Sequence, residues 1–287
     1  MSQQFPLAAI TDEFSPEIEK AIEKMAELGM TGAELRMVFG KNIIDLTGEE
    51  LARAKKIVSD RGLQVISIAS PLLKVVLPDA PEVDARFQQD SFNARHTIED
   101  QPRLAERAFE IAKFMGARII RVFSFWRVVE PEKVFDRVTR ALGEMAERAA
   151  KHDLIIGIEN EHACNIATGA EAAQVLNAVK HPNLRLVWDP ANARVAGELR
   201  PFPDGYNLLP KDRIYHVHAK DVKVDGHKAN WLKIGDGDID WKGQVAALAA
   251  DGYKGYISLE THWPGPGGDK FMASTICSQE LRTLVNA

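Results

Sequence analysis

Four residues able to hold a divalent metal ion each close a short apolar run in the second half of this chain. Leu154-Ile155-Ile156-Gly157-Ile158 runs into Glu159, and Leu184-Arg185-Leu186-Val187-Trp188 runs into Asp189. Ile214-Tyr215-His216-Val217 ends in His218, and Tyr256-Ile257-Ser258-Leu259 ends in Glu260. A charged side chain is costly inside a buried strand, so it belongs at the strand's end, facing an opening. One acid at a strand end is ordinarily a helix cap or a solvated rim charge. Four at equivalent positions, separated by 30, 29 and 42 residues, point to a shared site. Three carboxylates brought together without a cation would repel one another and raise each other's pKa, a conflict that a divalent ion removes. Three oxygen donors and one imidazole suit Mn2+ or Mg2+ best and also admit Co2+ or Zn2+.

Other residues cluster around these four. His216 precedes His218 by two, so both point to one face of a strand; His216 is either a partner of the ligand or a core histidine. Lys220 lies two beyond His218, at the mouth, either as a solvated lysine or as a cation beside a substrate oxygen. Asn160 and His162 follow Glu159, and Asn192 lies three after Asp189, all within reach of a ligand. Trp126 and Trp263 stand just past two strands, where they either wall a pocket or pack against the core. The 235–240 stretch superficially resembles a calcium loop, but Trp241 and Ala247 occupy the positions that need glycine and glutamate, so no calcium hand is expected.

To bring those strand ends together, the chain must alternate strands and helices. Leu7-Ala8-Ala9-Ile10 is the first strand, and Ser15 with Pro16 predicts the start of a helix that Gly29 ends. The second strand covers 32–37, with Glu34 and Arg36 on one face. Thr47 and Glu50 form a capping-box pattern opening a helix that runs to about Arg61. The third strand covers 63–69. From 70 to about 98 a proline-interrupted connection, with room for a helical turn, has the length of an active-site cover. A helix over about 99–115, a strand over 117–125 and a helix from Pro131 to near His152 lead to the four ligand-bearing strands. A helix over about 170–179, an extended proline-marked connection at 201–210, an insertion over 223–240 and a final helix over about 270–285 complete the pattern. Eight strands alternating with helices predict an α/β fold, a single (β/α)8 TIM barrel over 1–287, whose working face is at the C-terminal ends of the strands. A doubly wound sheet would announce a glycine-rich turn after the first strand, where Thr11-Asp12-Glu13-Phe14 stands instead.

Composition sets the outer limits. The chain has 287 residues, 45% of them hydrophobic and 27% charged, enough for a sizeable core. A net charge of −5 argues against nucleic-acid or anionic-membrane partners. Two cysteines, Cys164 and Cys277, form no disulfide framework and fit a reducing cytoplasm. Neither a signal-type N-terminus nor an apolar run of the ~20 residues that span a bilayer is present, so a cytoplasmic protein is expected.

At these residues the chain resembles the xylose-isomerase-like TIM-barrel superfamily of sugar isomerases and epimerases, over essentially its whole length. The resemblance rests on Ile158-Glu159-Asn160, Trp188-Asp189-Pro190-Ala191-Asn192, His216-Val217-His218-Ala219-Lys220-Asp221, Gly235-Asp236-Gly237, Leu259-Glu260-Thr261 and Ala33-Glu34-Leu35-Arg36. It implies one divalent cation, Mn2+ first, held by Glu159, Asp189, His218 and Glu260 and chelating adjacent hydroxyl and carbonyl oxygens of a sugar. It further implies Glu159 and Glu260 as catalytic proton carriers on opposite faces, with Glu34, His162, Asn192 and Lys220 contacting the substrate. Ketose 3-epimerases of the superfamily carry His three after the Asp ligand and Arg six after the His ligand; here Asn192 and Val224 stand there. The His-x-Lys-Asp stretch is closer to inosose dehydratases, lyases that form the same enolate and expel a β-hydroxyl. The expectation is a metal-dependent sugar isomerase or epimerase with a small carbohydrate substrate, and a dehydratase as the alternative. An apurinic-site endonuclease or a non-catalytic sugar-binding subunit fits less well. A homo-oligomer is compatible with the sequence, which does not specify one.

Overall fold

The computed structural model describes residues 5–87, 92 and 94–286. Eight parallel strands close into a barrel: β1 (Leu7–Ile10), β2 (Gly32–Leu35), β3 (Gln64–Ala69), β4 (Ile119–Val122), β5 (Ile155–Glu159), β6 (Leu184–Trp188), β7 (Ile214–Ala219) and β8 (Ile257–Leu259). Each pairs with its sequence neighbour, and β1 closes the ring through Ala9↔Ala33 on one side and Ala9↔Leu259 on the other. Helices α1 (Ile18–Glu27), α2 (Gly48–Asp60), α3 (Gln101–Met115), α4 (Phe135–Ala150), α5 (Gly169–Ala178), α6 (Pro190–Val195), α7 (Trp241–Ala250) and α8 (Lys270–Val285) follow the strands in turn.

The helices form where their apolar residues recur at three- and four-residue spacing. In α1, Ile18, Ala21, Ile22 and Met25 are buried; in α4, Val138, Leu142, Met145, Ala146 and Ala149 are. Thr47 caps α2 through the expected reciprocal bonds with Glu50, and Thr168 with Glu171 does the same for α5. Inside the barrel space is tight. A Cβ on Gly157 would come within 2.8 Å of Val187 Cγ2, so the strand that carries Glu159 needs glycine there.

Several boundaries differ from the sequence reading. α1 begins at Ile18, not after Ser15; the Ser15 hydroxyl accepts from Glu17 N–H, ending a turn that starts at Thr11. The 201–210 connection folds into short helical turns, Pro201–Gly205 and Tyr206–Leu208, rather than running extended. The insertion after β7 is a β-hairpin, Asp221–Asp225 with Lys228–Leu232. In the long 70–98 connection the described residues make turns and a bridge between Val83 and Val128, with no helical turn; residues 88–91 and 93 lie outside them. No helix among the described residues is long and apolar enough to cross a membrane.

Candidate metal centre

Glu159, Asp189, His218 and Glu260 stand at or just past the C-terminal ends of β5, β6, β7 and β8, all buried. Each offers one ligand atom, and these atoms lie within 4.8 Å of one another. Barrel closure explains the convergence, because equivalent positions on neighbouring strands share one rim.

Each ligand is held by partners of its own. Glu159 Oε2 accepts from Arg121 Nη1 at 2.9 Å, and its Oε1 accepts from Asn192 Nδ2 at 3.3 Å. Asp189 is the N-cap of α6: its Oδ1 accepts from the Asn192 amide at 2.8 Å. Asn160 pins the Asp189 backbone, accepting from its N–H at 2.8 Å and donating to its carbonyl at 2.7 Å. His218 turns Nδ1 toward Glu159 Oε1 (3.2 Å) and Glu260 Oε2 (3.4 Å), and Nε2 toward Glu34 Oε1 (3.1 Å). Without an ion, the carboxylates around His218 favour its cation; an ion bound at Nδ1 would displace that nitrogen's proton, while the Nε2 proton stays on Glu34. Glu260 receives Arg36 Nη1 at 3.1 Å and Lys220 Nζ at 2.8 Å.

The electrostatics follow from burial set against these partners. Burial pushes the Asp189 carboxyl up to about 7, more than Lys220 draws it down. Burial also opposes the charge on Glu159, but the His218 and Arg121 cations outweigh it and hold the group at about 2. Glu260 is likewise held low by Lys220 and His218 against its burial. Lys220 Nζ lies 2.9 Å from Asp189 Oδ2 as a charge contact, yet at an angle that leaves Oδ2 without a hydrogen bond. A buried carboxylate oxygen with only this poorly aligned charge contact, among two more carboxylates and an imidazole nitrogen, is an environment that a divalent cation would satisfy. The four residues fit such an ion.

The other expected residues are distributed around this centre. Lys220 reaches into it. Asn192 bridges Glu159, Glu161 and His162, donating from Nδ2 to the two carboxylates and accepting at Oδ1 from His162 Nδ1 at 2.9 Å. Glu34 is fully buried and bonds His216 (2.7 Å) as well as His218, so it stands behind the imidazole ligand. Trp126 is buried with Phe123, Ala163 and Cys164, and Trp263 packs on the core. Arg121 and Trp231 were not singled out by sequence. Trp231, on the β-hairpin, lies 4.6 Å from the His262 ring and 6.3 Å from His162, with Lys220 Nζ 5.6 Å from its centroid. Arg121 was legible in principle: an arginine within Ile119-Ile120-Arg121-Val122 needs a buried acid by the same rule that located the ligands.

The model of the family described as xylose isomerase-like TIM barrel matches residues 22–281. The chain is 24% identical over 273 residues to an inosose dehydratase of Geobacillus thermodenitrificans, covering 84% of this chain and 81% of that protein. It is 22% identical over 259 residues to a 3-dehydroshikimate dehydratase of Pseudomonas putida, covering 87% of this chain but 37% of that longer protein. Among solved structures, the IOLI protein with a bound zinc atom superposes with a TM-score of 0.74 at 14% identity, covering 98% of this chain and 96% of that one. With a family model spanning most of its length, the chain belongs to the xylose isomerase-like TIM barrel family.

Proposed function

We propose that the protein is a divalent-metal-dependent enzyme that moves a proton at a carbon beside a carbonyl of a polyhydroxylated substrate, as an isomerase or epimerase. The observation that carries this reading is the pair Glu159 and Glu260: two carboxylates in one cluster, each fixed by a different cation. Glu159, Asp189, His218 and Glu260 would hold the ion, Mn2+ or a similar one, which when bound draws charge from the substrate oxygens and acidifies the intervening C–H. Arg121 keeps Glu159 ionised and fixed, while Arg36 and Lys220 do the same for Glu260, so either carboxylate can accept a proton without first moving. Removal on one face and return on the other inverts the carbon; return to the neighbouring carbon exchanges aldose and ketose.

Dehydration is the second reading, favoured by two observations. The relatives described above are dehydratases by name. Lys220 and His162 also place proton donors beside the cluster, where one could protonate a departing β-hydroxyl. The two readings separate in D2O with metal-loaded protein and a panel of ketoses, inososes and cyclic hydroxyketones. Solvent deuterium at one carbon with the mass otherwise kept supports isomerisation or epimerisation, and loss of water supports dehydration. A fully metal-loaded protein that neither converts nor exchanges a carbon-bound proton in any of them, and releases no water from them, refutes both.

A further inference from the structure

A row of four rings lies over the metal centre. Between ring centroids, Phe87 stands 5.6 Å from His162, His162 6.3 Å from Trp231, and Trp231 4.6 Å from His262. They come from four different connections at the barrel mouth, those after β3, β5, β7 and β8. Three of the rings also meet what lies beneath them. His162 bonds Asn192 at 2.9 Å, and His262 Nε2 comes within 3.9 Å of Glu260 Oε1. Lys220 Nζ, in contact with both Asp189 and Glu260, lies 5.6 Å from the Trp231 centroid. The rings are partly exposed, whereas Glu159, Asp189 and His218 are 0% exposed and Glu260 3%. A ligand that chelates an ion held there has to pass whatever covers it.

Of the three rings that meet the centre, Trp231 is the least tied down. His162 sits in a loop closed by Glu161 N–H to Ile166 O (3.0 Å) and Arg127 N–H to Ala163 O (2.8 Å). His262 follows Glu260 by two residues, beside Thr261, whose hydroxyl accepts from Trp263 N–H at 3.3 Å. Trp231 stands instead on the second strand of a hairpin whose strands pair with each other and not with the barrel. The first strand of that hairpin is pinned: Asp221 accepts from Val222, Gly235 and Ile239 N–H, and Asp238 Oδ2 accepts from Val224 N–H. Among the described residues the Trp231 indole makes no hydrogen bond, whereas the indoles of Trp188 and Trp241 donate to Gln244 and to the Lys220 carbonyl. Held by ring contacts alone, it can turn about its side-chain torsions without breaking a hydrogen bond.

We propose that Trp231 is the gate of the site: its indole closes the mouth over the metal centre, and an ion or a chelating substrate passes only when it swings aside. The proposal rests on the reading of Glu159, Asp189, His218 and Glu260 as metal ligands and not on the reaction. Mn2+ alone is the probe. A gate that opens equally with and without the ion multiplies entry and exit by the same open fraction and leaves the equilibrium unchanged. With the open form at about 1–10% of molecules, Trp231→Ala should speed both Mn2+ uptake and Mn2+ release to excess EDTA by about 10- to 100-fold. Its Kd for Mn2+ should move by less than about twofold, because both rates rise together. Trp231→Phe, which keeps a smaller ring in the row, should speed both rates by less. Stopped-flow mixing reads the rates and equilibrium dialysis reads Kd. A merely structural role would weaken Kd and lower the unfolding temperature without raising uptake. Rates unchanged in both variants, or faster release with uptake unchanged, would overturn the gate. Wild-type protein that takes up no Mn2+ would instead refute the metal reading, and the gate with it.

Discussion

Replacing Arg121 by Met tests how the barrel keeps a charged ligand buried. The guanidinium and Glu159 are each about 1% exposed and 2.9 Å apart. At an effective dielectric of about 20, Coulomb attraction at that distance is roughly 6 kcal/mol, much of it offset by the desolvation of both groups. Removing one partner of a buried pair ordinarily costs about 3–5 kcal/mol, because the other charge is left behind. Here Glu159 retains Asn192 Nδ2 and His218 Nδ1, which places the expected loss at the lower end, about 3–4 kcal/mol. For 287 residues, with an unfolding entropy of about 0.6 kcal/mol/K, that is a fall in Tm of roughly 5–7 °C. Scanning calorimetry on chelator-treated protein measures it. Saturating Mn2+ should recover part of the loss, since Glu159 then has a cation again. The double variant Arg121→Met, Glu159→Gln should also recover stability, as a neutral pair leaves no orphaned charge. A fall below about 2 °C in the metal-free single variant, or a double variant as unstable as the single, would refute the reasoning.

Asp189→Ala should abolish metal retention while leaving both proposed proton carriers in place; elemental analysis after gel filtration reads the stoichiometry. In the wild type, Mn2+ at 100 times its Kd should add about 2.7 kcal/mol of stability, and that increment should vanish in Asp189→Ala. Glu159→Gln and Glu260→Gln keep size and an oxygen donor but cannot carry a proton, so each should lose turnover by about 10²–10⁴-fold. Undiminished turnover in a metal-loaded double Gln variant would exclude both carboxylates as proton carriers. Burial pushes the Asp221 carboxyl up to about 6, against the backbone N–H groups of Val222, Gly235 and Ile239 that it accepts. A pKa raised on folding gives stability that is present below the ordinary carboxylate value and lost as pH rises through about 6. The stability of wild type relative to Asp221→Asn should therefore fall between pH 4 and pH 7, and denaturant unfolding at those pH values would show it.

What could be read in the sequence follows from how far each interaction reaches along the chain. Strand-end acids and the capping box at Thr47 and Glu50 are local patterns, and the helix and strand periods extend over only a few residues; the eight-fold alternation emerges from them. The four candidate ligands are legible for a related reason: closure of the barrel turns equal positions on consecutive strands into neighbours. The residues that support them obey no such rule. Arg121 meets Glu159 from the adjacent strand, while Glu34 on β2 meets His216 and His218 on β7 across the barrel interior. Their side chains point inward by strand alternation, but which acid meets which base depends on barrel stagger and side-chain length. Trp231 was less legible still, because it lies in a connection whose path depends on tertiary contacts. A β-hairpin returns Trp231 over the mouth, beside His262 and His162. The same division bears on the proposed function: the strand ends carry the candidate metal ligands, while connections such as the 221–232 hairpin bring further side chains to the mouth. On the proposed reading, variants in the 221–232 segment should change which ligand binds before they change whether a metal does.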